Sequence, residues 1–291
     1  VRRNATRRGA IAGAAATALV ARPAFAAGDG FSLLEQRVGG RLGVAALDTA
    51  SGARLGHRTG ELFPMCSTFK LLAVGAVLSR VDQGREQLDR FIRYDQADLL
   101  DYAPVTRAHV REGRLPLGEL CQAAIELSDN TAANLILRQI DGPAGVTAFA
   151  RQIGDSVTRL DRTEPTLNTA VPGDPRDTTA PVAMLADLRA LSLGGVLSPG
   201  SRERLNGWLR GCQTGKTRLR AAFPASWPAG DKTGSGANGT ANDVAVAWAP
   251  GGAILIACYL TAAASAADAA RDAVHADVAR IVVERFRGVH G

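Results

Sequence analysis

The segment DVAVAWAPGGAILIACYL, residues 243–260, reads as two apolar strands around a Pro-Gly-Gly turn. The strand pattern of this end of the chain begins at about Lys232. A second hairpin pattern lies near the other end. In RLGVAALDTASGARLGHR, residues 41–58, apolar alternation runs into a Thr-Ala-Ser-Gly turn and a return strand. From Ser67 to about Leu209 the periodicity is mostly helical, with runs at 69–80, 117–127, 131–140, 144–153, 181–193 and 201–210 separated by Gly and Pro. A short helix is expected over 31–39 and an amphipathic one over about 266–287. Strands at both ends with helices between them predict an α/β chain, an α+β sandwich. Its antiparallel sheet is built from both termini and flanked by helices, with an inserted all-helical domain and the active site between the two. The expected division is 27–64 with 211–291 for the α/β domain and 65–210 for the helical one.

One stretch resists the helical pattern. RLDRTEPTLNTAVPGDPRDTTAP, residues 159–181, holds four prolines and has no periodicity. It reads as a structured Ω-loop, with Leu167 and Val171 as anchors to a core. A mobile linker is the alternative.

The formal charge of +6 invites a nucleic-acid reading. Residues 1–26 account for most of it: they hold Arg2, Arg3, Arg7, Arg8 and Arg22 and no acid, and without them 29 basic side chains face 28 acidic ones. A nucleic-acid partner therefore loses its main support. The same residues have the parts of an export signal: an Arg-rich start, the apolar run 10–20, and Ala24-Phe25-Ala26 as a cleavage pattern before Ala27. Arg7-Arg8 points to the twin-arginine route, with an ordinary Sec signal as the alternative. The run is too short for a stable membrane anchor. A periplasmic or secreted mature protein, monomeric and starting near Ala27, is the expectation.

Cys66, Cys121, Cys212 and Cys258 lack C-x-x-C spacing, so no zinc site, other metal or cofactor is expected. An oxidising compartment permits disulfides, and the sequence leaves their pairing open. Cys258, inside AILIACYL, reads as a small buried hydrophobe. His57, His109, His275 and His290 read as surface or structural residues. There is no G-x-S-x-G or H-E-x-x-H pattern. Serine chemistry would need another base.

CSTFKLLAVGAVL, residues 66–78, offers one. Ser67 and Lys70, three apart at a helix start, share a face. Free backbone N–H groups there favour a developing oxyanion, and a lysine in apolar surroundings has a depressed pKa and can take a proton from serine. A surface lysine is the bland alternative, made less comfortable by the apolar run. In ELSDNTAANL, Ser128 could relay a proton and Asn130 hold a polar group, the alternative being a helix N-cap. In GDKTGSGANGT, Lys232 and Thr233 suit a substrate carboxylate and Gly234 permits close backbone approach. A plain hairpin turn is the alternative.

In the order S-x-x-K, S-D-N, K-T-G these motifs form a known signature. With Glu164, Leu167 and Asn168 in RTEPTLN as the E-x-x-L-N arrangement, nearly the whole mature chain resembles the class A serine β-lactamase family. The resemblance implies that Ser67 attacks the lactam carbonyl of a small-molecule β-lactam, with the oxyanion held by backbone N–H groups of Ser67 and Ser235. It implies Lys70, or Glu164 through water, as the acylation base, and Ser128 as proton donor to the ring nitrogen. Glu164 and Asn168 would activate the deacylating water, and the Glu164-Pro165 bond would be cis. Lys232, Thr233, Ser235 and Arg218 would meet the substrate carboxylate. Asn130 would hold the acylamino group, and Tyr102 would flank the cleft. Trp208 reads as core and Thr214 as a peripheral candidate. Carbapenem-hydrolysing members often bridge the cysteine before the nucleophile to one two residues after K-T-G, and here that position is Gly236. A broad-spectrum enzyme active on penicillins and cephalosporins is therefore expected rather than a strong carbapenemase. The rivals are a D,D-peptidase, against which Glu164 argues, and a penicillin sensor, which would need a transmembrane link.

Overall fold

The structure, a computed structural model, describes residues 1, 26–27 and 29–287. The expected export signal falls on residues that, from 2 to 25, lie outside the described ones, as does His290. Near the centre of a six-stranded sheet runs the second half of the hairpin at 243–260. The sheet's strands are β1 (Ala26–Ala27), β2 (Arg41–Asp48), β3 (Arg54–His57), β8 (Ala229–Gly236), β9 (Thr240–Ala249) and β10 (Gly252–Thr261), in the order β1-β3-β2-β10-β9-β8. The two ends of the chain thus meet along the β2–β10 pair. All pairings are antiparallel except β1 with β3, which is parallel.

In β10, Cys258 stands opposite Val44 and Tyr259 opposite Gly43, and successive side chains point to opposite faces. Leu255, Ala257 and Tyr259 join a core shared with the helical segment. Ile254, Ile256 and Cys258 join a second core under α1 (Asp29–Val38) and α9 (Asp268–Arg287). Both faces are covered, so the strand reads as an unbroken apolar run rather than an alternation. Each large aliphatic side chain buried there stabilises the fold by about 1.5–3 kcal/mol.

The intervening segment folds as α2 (Phe69–Asp82), α4 (Leu117–Glu126), α5 (Asn130–Gln139), α6 (Gly142–Gln152), α7 (Pro181–Ser192) and α8 (Pro199–Gly211), each within two residues of its expected bounds. Residues 69–79 of α2 are buried on every side, which makes it the central helix of the larger core. Periodicity does not reveal α3 (Pro104–Ala108), the hairpin of β5 (Phe91–Arg93) with β6 (Arg114–Pro116), or the bridge of β4 (Phe63–Pro64) to β7 (Thr178–Thr179). These elements are shorter than one clear repeat of either pattern. Among the described residues no helix is long and apolar enough to cross a membrane.

The 159–181 stretch is an ordered loop with one correction. Leu167 is 1% exposed and pins it, but Val171 is 51% exposed and does not. An ion pair closes the loop instead. Arg162 Nε donates to Asp177 Oδ2 at 2.5 Å, and Asp177 Oδ1 accepts from the amides of Asp161 and Arg162. The Glu164-Pro165 bond is cis.

Candidate active site

Ser67 lies in the 3-10 turn Cys66–Thr68 that runs directly into α2, and Lys70 is in the first turn of that helix. Thr68 holds the turn by donating to the Met65 carbonyl at 2.8 Å. Strand β8 crosses close behind. A Cβ on Gly234 would stand 2.7 Å from the Met65 carbonyl and 3.1 Å from the Ser67 amide nitrogen, so only glycine fits that crossing.

Lys70 is fully buried, yet its Nζ has four oxygen partners: Asn130 Oδ1 at 2.7 Å, the Ser128 carbonyl at 2.8 Å, Glu164 Oε1 at 3.1 Å and Ser128 Oγ at 3.2 Å. Burial lowers its pKa, and attraction to Glu164 opposes that shift without cancelling it. Ser67 Oγ donates to the same Glu164 Oε1 at 3.2 Å. Asn168 Nδ2 donates to the other carboxylate oxygen, and Asn168 Oδ1 is buried without a partner among the described residues. Glu164 is placed by a residue that the sequence did not flag. Asn134 on α5 accepts from the Glu164 amide at 3.0 Å and donates to its carbonyl at 2.9 Å.

Ser128 is not the N-cap of α5. That role belongs to Asp129, whose Oδ1 accepts from the Ala132 amide, while its Oδ2 accepts from the amides at the start of α3. Ser128 has φ of 57°, an uncommon conformation for serine, and this turns it toward the lysines. Its Oγ accepts from Lys70 and also from Lys232 Nζ at 3.1 Å. Lys232, fully buried on β8, has its pKa pushed down to about 8, first by burial and further by Lys70. Residues 232–234 lie within the strand, and the turn follows at Asn238-Gly239.

The Thr233 hydroxyl lies 2.5 Å from that of Thr214, so the peripheral candidate is joined directly to the cluster. Arg218 donates to the carbonyls of Gly234 and Asn242 and, at 2.9 Å, to Ser235 Oγ. Asp272 on α9, also unflagged, fixes it by accepting from Nε at 2.8 Å. Tyr102 is half exposed, and its carbonyl accepts from the Asn130 amide at 3.1 Å. Trp208 is in the core.

Cys66, Cys121, Cys212 and Cys258 are all free and buried. Burial raises the Cys66 thiol pKa, with Glu164 adding to the effect, which leaves the thiol unreactive. Of the described histidines, His57 meets Glu35, His109 meets Glu112, and buried His275 meets the Ala241 carbonyl. None bonds to the Ser67 cluster. Burial, with Arg218 adding to it, drives the His275 pKa down to about 3, so it stays neutral.

A serine beside a buried Lys-Glu pair, with a second serine bridging two lysines, defines a class of serine enzyme that transfers acyl groups without histidine. The chain belongs to the β-lactamase enzyme family, whose model matches residues 31–286. It is 48% identical over 268 residues to β-lactamase AST-1 of Nocardia asteroides, covering 92% of this chain and 84% of that protein. It is 45% identical over 285 residues to the carbapenem-hydrolyzing β-lactamase KPC of Klebsiella oxytoca, covering 97% and 94%. The solved structure of the class A β-lactamase of the last common ancestor of Gram-negative bacteria superposes with a TM-score of 0.86 at 60% identity, covering 89% of this chain and 98% of that one. The mixed sheet-and-helix fold expected from the sequence is therefore the class A fold.

Proposed function

We infer that the protein hydrolyses the lactam amide of penicillins and cephalosporins through an acyl-enzyme on Ser67, and so confers resistance to these antibiotics. The observation that carries this reading is that Ser67 Oγ donates to a carboxylate oxygen that is itself paired with buried Lys70. In this reading Glu164 accepts the Ser67 proton as Oγ bonds to the carbonyl carbon. Lys70, with its lowered pKa, is a second route for that proton. Amides of Ser67 and Ser235 hold the oxyanion. Ser128, bonded to both lysines, passes a proton to the ring nitrogen as the C–N bond breaks. It is reprotonated through Lys70, which takes up the proton held on Glu164 and so returns Glu164 to a carboxylate. Water held by Glu164 and the unpaired Asn168 Oδ1 then cleaves the ester.

Lys232, Thr233, Ser235 and Arg218 form the carboxylate subsite. Asn130, with Nδ2 left to donate, takes the acylamino group, and exposed Tyr102 flanks the cleft. The cluster draws residues from 65–210 and from 211–291, which supports a two-domain reading with the cleft between. Strong carbapenem hydrolysis is not part of the proposal, because Gly236 offers Cys66 no disulfide partner. The Arg-rich leader with its A-x-A pattern supports cleavage near Ala27 and action in the periplasm or outside the cell.

Purified protein with a chromogenic cephalosporin tests the proposal. Many turnovers per enzyme are expected. A single burst that leaves a stable adduct on Ser67 would instead support a penicillin-binding protein.

A further inference from the structure

Away from the reacting cluster, two carboxyl groups are buried together at the neck of the Ω-loop. Asp155 follows α6 just before the loop begins, and Asp187 lies in α7 just after it ends. Asp155 Oδ1 accepts from the amides of Val157 at 2.7 Å and Thr158 at 3.0 Å. The Oδ2 atoms of both residues are buried and have no donor among the described residues. The two carboxyl groups face each other closely enough for each to shift the ionisation of the other.

The other titratable groups facing Asp187 are Arg151 on α6 and Tyr259 on β10. Arg151 lowers the Asp187 pKa through space without outweighing burial, and its Nη1 donates to the carbonyls of Asp155 and Thr158. Tyr259 stays protonated, since burial raises its pKa far above the ordinary phenol value. Two ionised carboxylates have no proton to put between them, and an unpaired buried charge is very costly.

We propose that Asp155 and Asp187 share one proton at neutral pH, and that this shared proton is a clasp holding the two ends of the Ω-loop together. The surroundings carry the clasp toward the nucleophile. Thr158 Oγ1 lies 2.6 Å from Thr179 Oγ1, and Thr179 is in β7, which pairs with β4 just ahead of Cys66 and Ser67. The pair is thus a positioning device for the loop that carries Glu164, and it touches no reacting atom.

Burial, followed by the charge of Asp155, pushes the Asp187 pKa up to about 9. Asp155 is held below its ordinary value: burial opposes this but is outweighed by the hydrogen bonds from Thr158 and Val157. A raised carboxyl pKa contributes stability that is full below the unfolded value and is lost as pH rises through about 9. The depressed pKa of Asp155 acts oppositely, with its stability lost only in acid. The clasp therefore opens on the alkaline side.

The test compares the full-length protein with Asp187→Asn, whose amide donates to Asp155 at any pH. The melting temperature of the variant relative to wild type should climb from pH 5 to about 9 and level off above it. Isotope-edited infrared spectra at pH 7 should show a protonated-carboxyl band in wild type that the variant lacks. Asp155→Asn should keep the band, since burial still holds Asp187 neutral, but the band should titrate away at lower pH than in wild type because the charge of Asp155 is gone. This covers the case in which the first variant does not fold. Parallel melting profiles, a band that persists in Asp187→Asn, or a band in Asp155→Asn that titrates as in wild type would overturn the proposal. Neither readout involves a β-lactam, so the result stands apart from the proposed activity.

Discussion

Lys70 Nζ and Glu164 Oε1 lie 3.1 Å apart with both side chains fully buried, and Ser67 Oγ donates to the same oxygen. Removing one partner of such a pair strands a charge. Lys70→Ala should cost about 3–5 kcal/mol of stability and lose most acylation. Chemical denaturation alongside burst kinetics measures both, and an unchanged burst would remove Lys70 from the mechanism.

Glu164→Gln keeps the shape of the side chain but cannot take a proton. Deacylation should slow by about 10²–10⁴-fold while Ser67 is still acylated through the Lys70 route, so the adduct accumulates. Mass spectrometry of the protein after brief exposure to a penicillin detects it. Normal turnover would show that the water is activated elsewhere.

Lys232 is a cation below its pKa of about 8 and neutral above it. Capture of a carboxylate-bearing substrate should therefore weaken as pH rises through about 8, seen as an alkaline fall in kcat/KM. Lys232→Arg, which stays charged, should move that fall to higher pH. If the limb is unmoved, another group is responsible.

A Cβ on Gly236 would lie 2.7 Å from both Cys66 Sγ and the Asn168 carbonyl. Gly236→Ala should overpack this contact and lower stability by about 1–3 kcal/mol. In Gly236→Cys the approach to Cys66 becomes a route to a bond, and under oxidising conditions the new thiol and Cys66 should both vanish from thiol titration. Two titratable thiols in the unfolded, oxidised variant at these positions would refute the contact.

Asp177 is buried where it closes the Ω-loop on Arg162. Asp177→Ala should cost on the order of 3 kcal/mol and slow deacylation more than acylation, because it frees the loop that carries Glu164 and Asn168. Equal slowing of the two steps, read by pre-steady-state kinetics, would count against this.

Some of this was legible in the residues alone. Helix bounds at 117–126 and 181–192 followed from local periodicity and Gly/Pro punctuation. The three-residue elements around 91–93 and 114–116 did not, because they are too short to show a period. Val171 looked like a loop anchor because it is apolar. It lies in solvent because the Arg162–Asp177 pair closes the loop without it. Asn134 and Asp272 act through contacts far along the chain, and nothing in their local sequence marks them. The capping by Asp129 was legible in ELSDNTAANL, but its bonds to the start of α3 were not.

The three-residue spacing of Ser67 and Lys70 at the start of α2 was set by sequence, and such spacing favours a shared face. In the structure the two meet through Glu164 Oε1, which each of them contacts. Sequence also set the apolar strand at 252–261, whose side chains suit burial on both faces. Tertiary structure alone decided which groups those two side chains meet. Glu164, Ser128 and Lys232 converge on them from a loop, a turn and a strand that are far apart in the chain. It also decided protonation, because the depressed lysine pKa values depend on how much water the assembled core excludes.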